Sequence, residues 1–167
     1  MEQLSIPRSP VETFSWKNCG AATDAVQIVN LNLSPDPVVL NGNVTVSGGI
    51  SVATKISSPV KVDLKLYKKV FGKYEAIPCI GGVGSCTYDD ICAKLPSTCP
   101  AGWPAGIPCS CPFAEGTYSI PTTSFALHVG NLPSWASDGD YEAQATGTDS
   151  SGNELFCVNV QVSIKDH

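Results

Sequence analysis

The sequence predicts an all-β fold, antiparallel strands arranged as a sandwich, barrel or cup with one short helix. Three observations carry that expectation. Short β-branched or alternating runs follow one another closely, separated by Pro, Gly, Asn and Asp. Eight cysteines in 167 residues, an even number, imply a disulfide framework and hence an oxidising compartment outside the cytosol. Apolar residues make up 43% of the chain and charged residues 15%, below the ~25% typical of soluble domains, so there is more apolar surface than a compact core need absorb.

The length suits one domain with a real core. Residues 1–13 contain no charged stretch followed by an apolar one, and are expected to form an appended or disordered extension; residues 14–167 form the domain. Residues 26–33 (VQIVNLNL) alternate until Pro35 and Pro37 break the chain. Further strands are expected at 38–40, 43–46, 60–67, 74–77, 116–120, 124–129, 139–148 and 155–164. In the run from Val60 to Tyr67, Lys61, Asp63 and Lys65 alternate with Val62, Leu64 and Leu66, as in a sheet with one wet face. Phe156, Val158, Val160, Val162 and Ile164 repeat the same period of two. Residues 88–95 (YDDICAKL) are the one helical candidate, with Asp89 and Asp90 favourable to its N-terminal dipole. Residues 78–112 are rich in Gly and Pro and hold six of the cysteines, so bridges worth roughly 2–5 kcal/mol each must stabilise this lobe. Cysteine number alone leaves their pairing open.

Composition excludes several functions. With a net charge of -5, the sequence offers no basic stripe for nucleic acid. C-x2-C pairs are missing and the only histidines are His128 and His167, so neither a metal nor another cofactor is expected. No run approaches the ~20 apolar residues that span a bilayer. His128 lies inside an alternating run; there is no G-x-S-x-G elbow, P-loop or G-x-G-x-x-G. Asp89, Asp90, Glu115, Asp138 and Asp140 lie in turns or a helix start, where acids are common, so glycosidase-type paired carboxylates are not indicated. The chain is expected not to be an enzyme. Trp16, Trp103 and Trp135 lie beside Pro, Gly or Ser, and Phe71, Tyr74 and Phe113 flank similar turns. Such aromatics either plug the ends of a β core or sit at a membrane interface with the ring buried and the polar tip wet. Asn43-Val44-Thr45 is a glycosylation sequon, as is Asn32-Leu33-Ser34 before Pro35.

Longer motifs narrow the reading. Phe14-Ser15-Trp16 with Asn18-Cys19, Pro35-Asp36-Pro37 with Gly42-Asn43-Val44-Thr45, and the run from Ser57 to Leu64 resemble the ganglioside GM2 activator family. So do Ile77-Pro78-Cys79, Gly84-Ser85-Cys86-Thr87, Pro108-Cys109-Ser110-Cys111-Pro112-Phe113, Glu115-Gly116-Thr117-Tyr118-Ser119 and Leu132-Pro133-Ser134-Trp135. The resemblance runs from Phe14 to Ile164 and includes all eight cysteines in order. It implies a β-cup with a large apolar cavity for lipid tails, and the pairing Cys19–Cys157, Cys79–Cys86, Cys92–Cys111 and Cys99–Cys109. It also implies that Trp135 touches the membrane from a rim loop and that Tyr74 stands where a family tryptophan does. Residues 93–98 are shorter than the family's corresponding loop.

The expected function is therefore non-enzymatic: glycosphingolipid or another lipid is lifted from a transiently touched membrane and presented to a lysosomal β-hexosaminidase-like glycosidase. The expected setting is lysosomal or extracellular. Val62, Leu64, Leu66, Val158, Val160 and Val162 are expected to line the cavity with Ile77, Phe125 and Leu127, and Trp16, Tyr74, Trp103 and Trp135 to form the rim. A secreted structural or signalling sandwich without lipid transfer is the alternative.

Overall fold

The structure, a computed structural model, describes residues 14–40, 42–99, 101–126 and 138–165. Along the chain run β1 (Ser15–Asn18), β2 (Val26–Ser34), β3 (Val38–Val39), β4 (Asn43–Val52), β5 (Lys61–Val70), β6 (Lys73–Ala76), β7 (Thr87–Tyr88), a 3-10 turn (Ile91–Lys94), β8 (Gly116–Ala126), β9 (Gly139–Thr148) and β10 (Glu154–Lys165). A seven-stranded sheet has the order β1-β10-β9-β5-β6, with β3 also paired to β10 and β7 to β5; β2-β4-β8 form a second, three-stranded sheet. The pairing is antiparallel except between β3 and β10.

Four expectations about elements change. The helix at 88–95 is a single 3-10 turn. Asp90 caps it, accepting the Cys92 N–H. Leu95 is already extended ahead of Pro96, where the proline ring disfavours helical backbone. Strands expected at 116–120 and 124–129 are, over the described residues, one strand, β8. Pro121 fits because β8 is a sheet edge and the register slips there, Gly48 facing Ile120 and Val46 facing Thr123, so the ladder needs no proline N–H. The strand at 43–46 continues to Val52 through Gly48, where an added Cβ would lie 2.6 Å from the Asn30 carbonyl. Only glycine lets β2 approach that closely. β1 and β7 are too short to have carried an alternation signal.

Four disulfides join Cys19 to Cys157, Cys79 to Cys86, Cys92 to Cys111 and Cys99 to Cys109, the pairing that the resemblance implies. The first ties the residue after β1 to β10. Beside it Asn18 links the two sheets: its Nδ2 donates to the Ile28 carbonyl at 2.8 Å and its Oδ1 accepts the Ile28 N–H at 3.0 Å.

Residues directly opposite one another in a ladder share a face. In the large sheet one face carries Val62, Leu64 and Leu66 of β5, Gly147, Ala145, Ala143 and Tyr141 of β9, Phe156, Val158, Val160 and Val162 of β10, and Trp16 of β1. The other face carries Asp63, Lys65, Glu142, Gln144, Asn159, Gln161 and Ser163. There Asn159 donates to Glu142 at 2.7 Å and Gln144 at 3.3 Å, which keeps its buried amide satisfied. In the small sheet the apolar face pairs Val26 with Val52, Ile28 with Ile50 and Leu33 with Val46, and continues to Tyr118 and Ile120.

Candidate functional site

Two apolar sheet faces normally close on each other and bury their side chains at crystal-like density. Here they do so only at one end. Val52, Ile56, Val60, Val62 and Leu155 form a buried cluster joining the sheets, and Ala25, Tyr88, Phe113 and Ala145 pack against it. Leu64, Leu66, Val158, Val160, Val162, Ile28, Leu31, Leu33, Val44 and Val46 all stay half-buried although they lie on or between apolar inner-face positions. Among the described residues, these inner-face side chains are only half covered beyond that end.

Next to the buried cluster lies a cavity of about 330 Å³. Val26, Ile50, Val52, Tyr118 and Ile120 line it from the small sheet and Phe156 from the large one. Ile56, Val60, Ile91, Leu95, Trp103, Ile107, Pro108, Cys109, Cys111 and Phe113 complete the wall from the loops. Every lining residue is aliphatic, aromatic or a half-cystine. At roughly 30 Å³ per methylene, about the volume of a water molecule, the cavity holds on the order of ten chain carbons. At about 0.8 kcal/mol each, their burial is worth close to 8 kcal/mol gross.

The wall is positioned by few contacts. Asp90 accepts the Ser58 hydroxyl, the Val60 N–H at 3.0 Å and the Cys92 N–H at 3.1 Å, which pins the 3-10 turn carrying Ile91 to the start of β5. The Ser58 hydrogen bond, helped by those two backbone donors, lowers the Asp90 carboxyl below the usual carboxylate range. Ile56 and Phe113 exchange two backbone hydrogen bonds of 2.8 Å, fastening the far end of the lobe. Between them, Cys92–Cys111 and Cys99–Cys109 staple a segment that, among the described residues, has no strand or helix beyond that turn. On the opposite wall the Phe156 ring lies over Gly147, where an added Cβ would come within 2.2 Å of it.

The sequence-derived residues distribute unevenly over this geometry. Val62, Leu64, Leu66, Val158, Val160 and Val162 share the inner face with Phe156, but the cavity wall itself is made by other residues. Ile77 is buried and donates its N–H to the Leu66 carbonyl at 2.8 Å, outside the cavity. Leu127 and Trp135 lie outside the described residues, as does His128, and Phe125 is placed only through its backbone, opposite Val44. Trp16 stands on the inner face opposite Val160. Tyr74 stands on the β5–β6 hairpin, its ring 5.7 Å from the Lys69 ammonium. Trp103, also expected at the rim, contributes to the cavity wall, is half-buried, and donates Nε1 to the Ile107 carbonyl at 2.8 Å. Asn43 opens β4 and is exposed. Among the described residues no group of three or more His, Cys, Asp or Glu is placed to hold a metal ion.

Sequence reasoning missed the lobe side chains, because Gly- and Pro-rich sequence has no periodicity to say which of them turn inward. The alternation of Tyr118 and Ile120 with Thr117 and Ser119 was a usable signal for the small-sheet wall.

The ML domain model matches residues 13–164. The ganglioside GM2 activator of Macaca fascicularis is 41% identical over 160 residues, covering 92% of this chain and 84% of that protein. The ganglioside GM2 activator of Mus musculus is 39% identical over 159 residues, covering 91% and 82%. Among solved structures, a Niemann-Pick type C2 protein from Japanese carpenter ant aligns with a TM-score of 0.47 at 13% identity, covering 90% of this chain and 99% of that one. The chain is a member of the ML domain family and of the family that holds these ganglioside GM2 activators.

Proposed function

We propose that this chain is a reversible glycolipid carrier that lifts its ligand from a membrane and presents the headgroup to a soluble glycosidase. It binds lipid and is not itself an enzyme. The observation that carries this reading is the mismatch between fold and filling: two apolar sheet faces left half-buried beside a cavity with a predominantly apolar lining. Tail carbons beyond the ten or so that the cavity holds can run along Leu64, Leu66, Val158, Val160 and Val162, so the inner-face residues read from sequence become the upper track of the tail. A bilayer offers a lipid tail nearly the same burial as the cup does. Extraction is therefore close to balanced and reversible, which suits transfer better than storage. The activator relatives support the glycosidase partner. The four disulfides and the exposed Asn43 sequon support a secretory route ending in the lysosome or outside the cell.

The test is transfer of a fluorescent glycosphingolipid between donor and acceptor vesicles, run beside hydrolysis of vesicle-bound glycolipid by a β-hexosaminidase. The chain should accelerate both, and Ile50→Asp, which puts a charge into the cavity wall, should abolish both. Transfer at the protein-free rate would refute the carrier role; transfer without faster hydrolysis would refute the presentation step alone.

A further inference from the structure

The three strands of the small sheet carry no charge at all. None of the chain's ten Lys and Arg or fifteen Asp and Glu stands on β2, β4 or β8, strands of nine, ten and eleven residues, whereas β5 alone carries Lys61, Asp63, Lys65, Lys68 and Lys69. On the outer face of this sheet Asn32 and Ser34 of β2 stand opposite Ser47 and Thr45 of β4, and Ser119 and Ser124 of β8 continue the face. These are uncharged amides and hydroxyls; those of Thr45 and Ser124 share a hydrogen bond of 2.8 Å. Val29, at the bulge of β2, is 57% exposed, and its Cβ lies 3.6 Å from the place a Cβ would take on Gly49, which puts it on the same face.

Among the described residues β2 and β8 are the two edges of this sheet. Edge strands commonly avoid pairing with another chain by carrying charge, lysine above all, and neither edge has any. The bulge at Val29 and the proline at 121 interrupt each edge locally and leave the rest of it neutral. Asn43 opens β4 and is exposed, and the period of two along a strand puts it on the same face as Thr45. The sequon Asn43-Val44-Thr45 therefore projects from the uncharged face. Asn32, of the second sequon, stands on it too, opposite Ser47.

We propose that an N-linked glycan at Asn43 covers the outer face of the small sheet and keeps its uncharged edges from pairing with a second copy of this chain. Attachment joins Nδ2 of Asn43 to the anomeric carbon of an oligosaccharide held by a diphosphate-linked donor; the diphosphate leaves and Nδ2 gives up one proton. The bulky, hydrated sugar supplies here the solubility that charged side chains supply on the large sheet. Amides and hydroxyls on the face offer both donors and acceptors to sugar hydroxyls, and Val29 offers an apolar spot to the C–H face of a sugar ring. The cover lies on the side of the sheet away from the cavity, so the inference goes beyond the carrier reading and does not depend on it.

The experiment compares wild type, Asn43→Gln and Asn43→Gln/Val29→Lys, each secreted from a glycosylating cell line, by intact mass and sedimentation velocity. Wild type should carry a glycan at Asn43 and sediment as a monomer. Asn43→Gln should move to twice the polypeptide mass or beyond as concentration rises, equally at low and high salt, because no ion pair holds the contact. Adding Val29→Lys, which charges the exposed edge, should return it to the monomer. Endoglycosidase trimming of folded wild type to the single attached sugar repeats the comparison without a substitution and should give the same increase in mass. Loading of a short-chain fluorescent lipid should stay at the wild-type level in both variants, as the outer face is not cavity wall. Wild type secreted without a glycan at Asn43 would overturn the inference. So would Asn43→Gln and trimmed protein that both stay monomeric, or association that Val29→Lys leaves unchanged.

Discussion

Phe156→Ala should lengthen the lipid tail that the cavity accepts. In the wild type, affinity for a series of single-chain lipids should rise about fourfold per added methylene, the equivalent of ~0.8 kcal/mol. The rise should slacken near ten carbons, where the 330 Å³ are full and further carbons meet the half-buried inner faces. Phe156 closes one wall of that cavity and lies over Gly147, which offers no side chain to take its place. Removing the ring frees on the order of 100 Å³, judged against the ~150 Å³ apolar cavity that houses benzene, and so admits about three more methylenes. The break in the series should move from about ten carbons to about thirteen, a gain of roughly 2.4 kcal/mol for the longer chain. Loss of the half-buried ring should cost less than the 3–5 kcal/mol typical of a buried phenylalanine. Titration of the lipid series by calorimetry or by displacement of an environment-sensitive dye reads the break. The same break point in both proteins, or an unbroken rise in the wild type, would refute the assignment of the cavity as the tail site.

Gly147→Ala should destabilise by the ~1–3 kcal/mol of an overpacked site, since the new Cβ would lie 2.2 Å from the Phe156 ring. Adding Phe156→Ala should recover most of that loss in chemical denaturation, and purely additive costs would contradict the contact. Cys99→Ser/Cys109→Ser should cost roughly 2–5 kcal/mol, from a lobe with little ladder to replace the bridge. It should also weaken lipid loading, because Trp103, Ile107 and Cys109 are cavity wall; stability lost with loading intact would contradict that role. Stability should depend on pH through Glu154. Its carboxyl is raised above the usual range by the hydrogen bond it shares with Asp24, then by burial and by the charge of Asp24. Asp24 Oδ2 is buried with no hydrogen-bond partner unless Glu154 carries the proton. A raised value means that this contact stabilises in acid and fades as pH rises through that value. Asp90 and Asp149 are lowered, chiefly by the Ser58 hydroxyl and the Asn153 N–H, so their contributions persist until pH falls below the ordinary carboxylate range. Thermal melts should therefore favour mildly acidic over neutral pH, and Glu154→Gln, which donates to Asp24 at any pH, should flatten that difference; an unchanged profile would exclude the pair as its source.

The parts of this fold that were legible in sequence are those where one physical rule acts alone. β9 and β10 alternate because apolar side chains face the cup while polar ones such as Gln144, Asn159 and Ser163 take the other side of the sheet, and the alternation of Val62, Leu64 and Leu66 identified the inner face of β5. Rules in competition were harder to read. β8 runs through Pro121 because an edge strand with a register slip excuses the missing N–H, and β4 runs through Gly48 because β2 must come close; a proline or glycine viewed locally says "stop" in both places. The cavity wall was hidden for a related reason. Ile91, Leu95, Trp103, Ile107 and Phe113 are brought to it by Asp90, by two disulfides and by the Ile56–Phe113 bridge, contacts between residues far apart in sequence.

Native mass spectrometry of the purified protein, with organic extraction of the same sample, decides whether the cavity carries lipid. A lipid-loaded cavity gives ions heavier than the four-disulfide polypeptide by the mass of one lipid, a lipid recovered in the extract, and depletion of both by Ile50→Asp. A wild-type spectrum showing polypeptide alone, unchanged after incubation with glycolipid vesicles, would rule out lipid carriage.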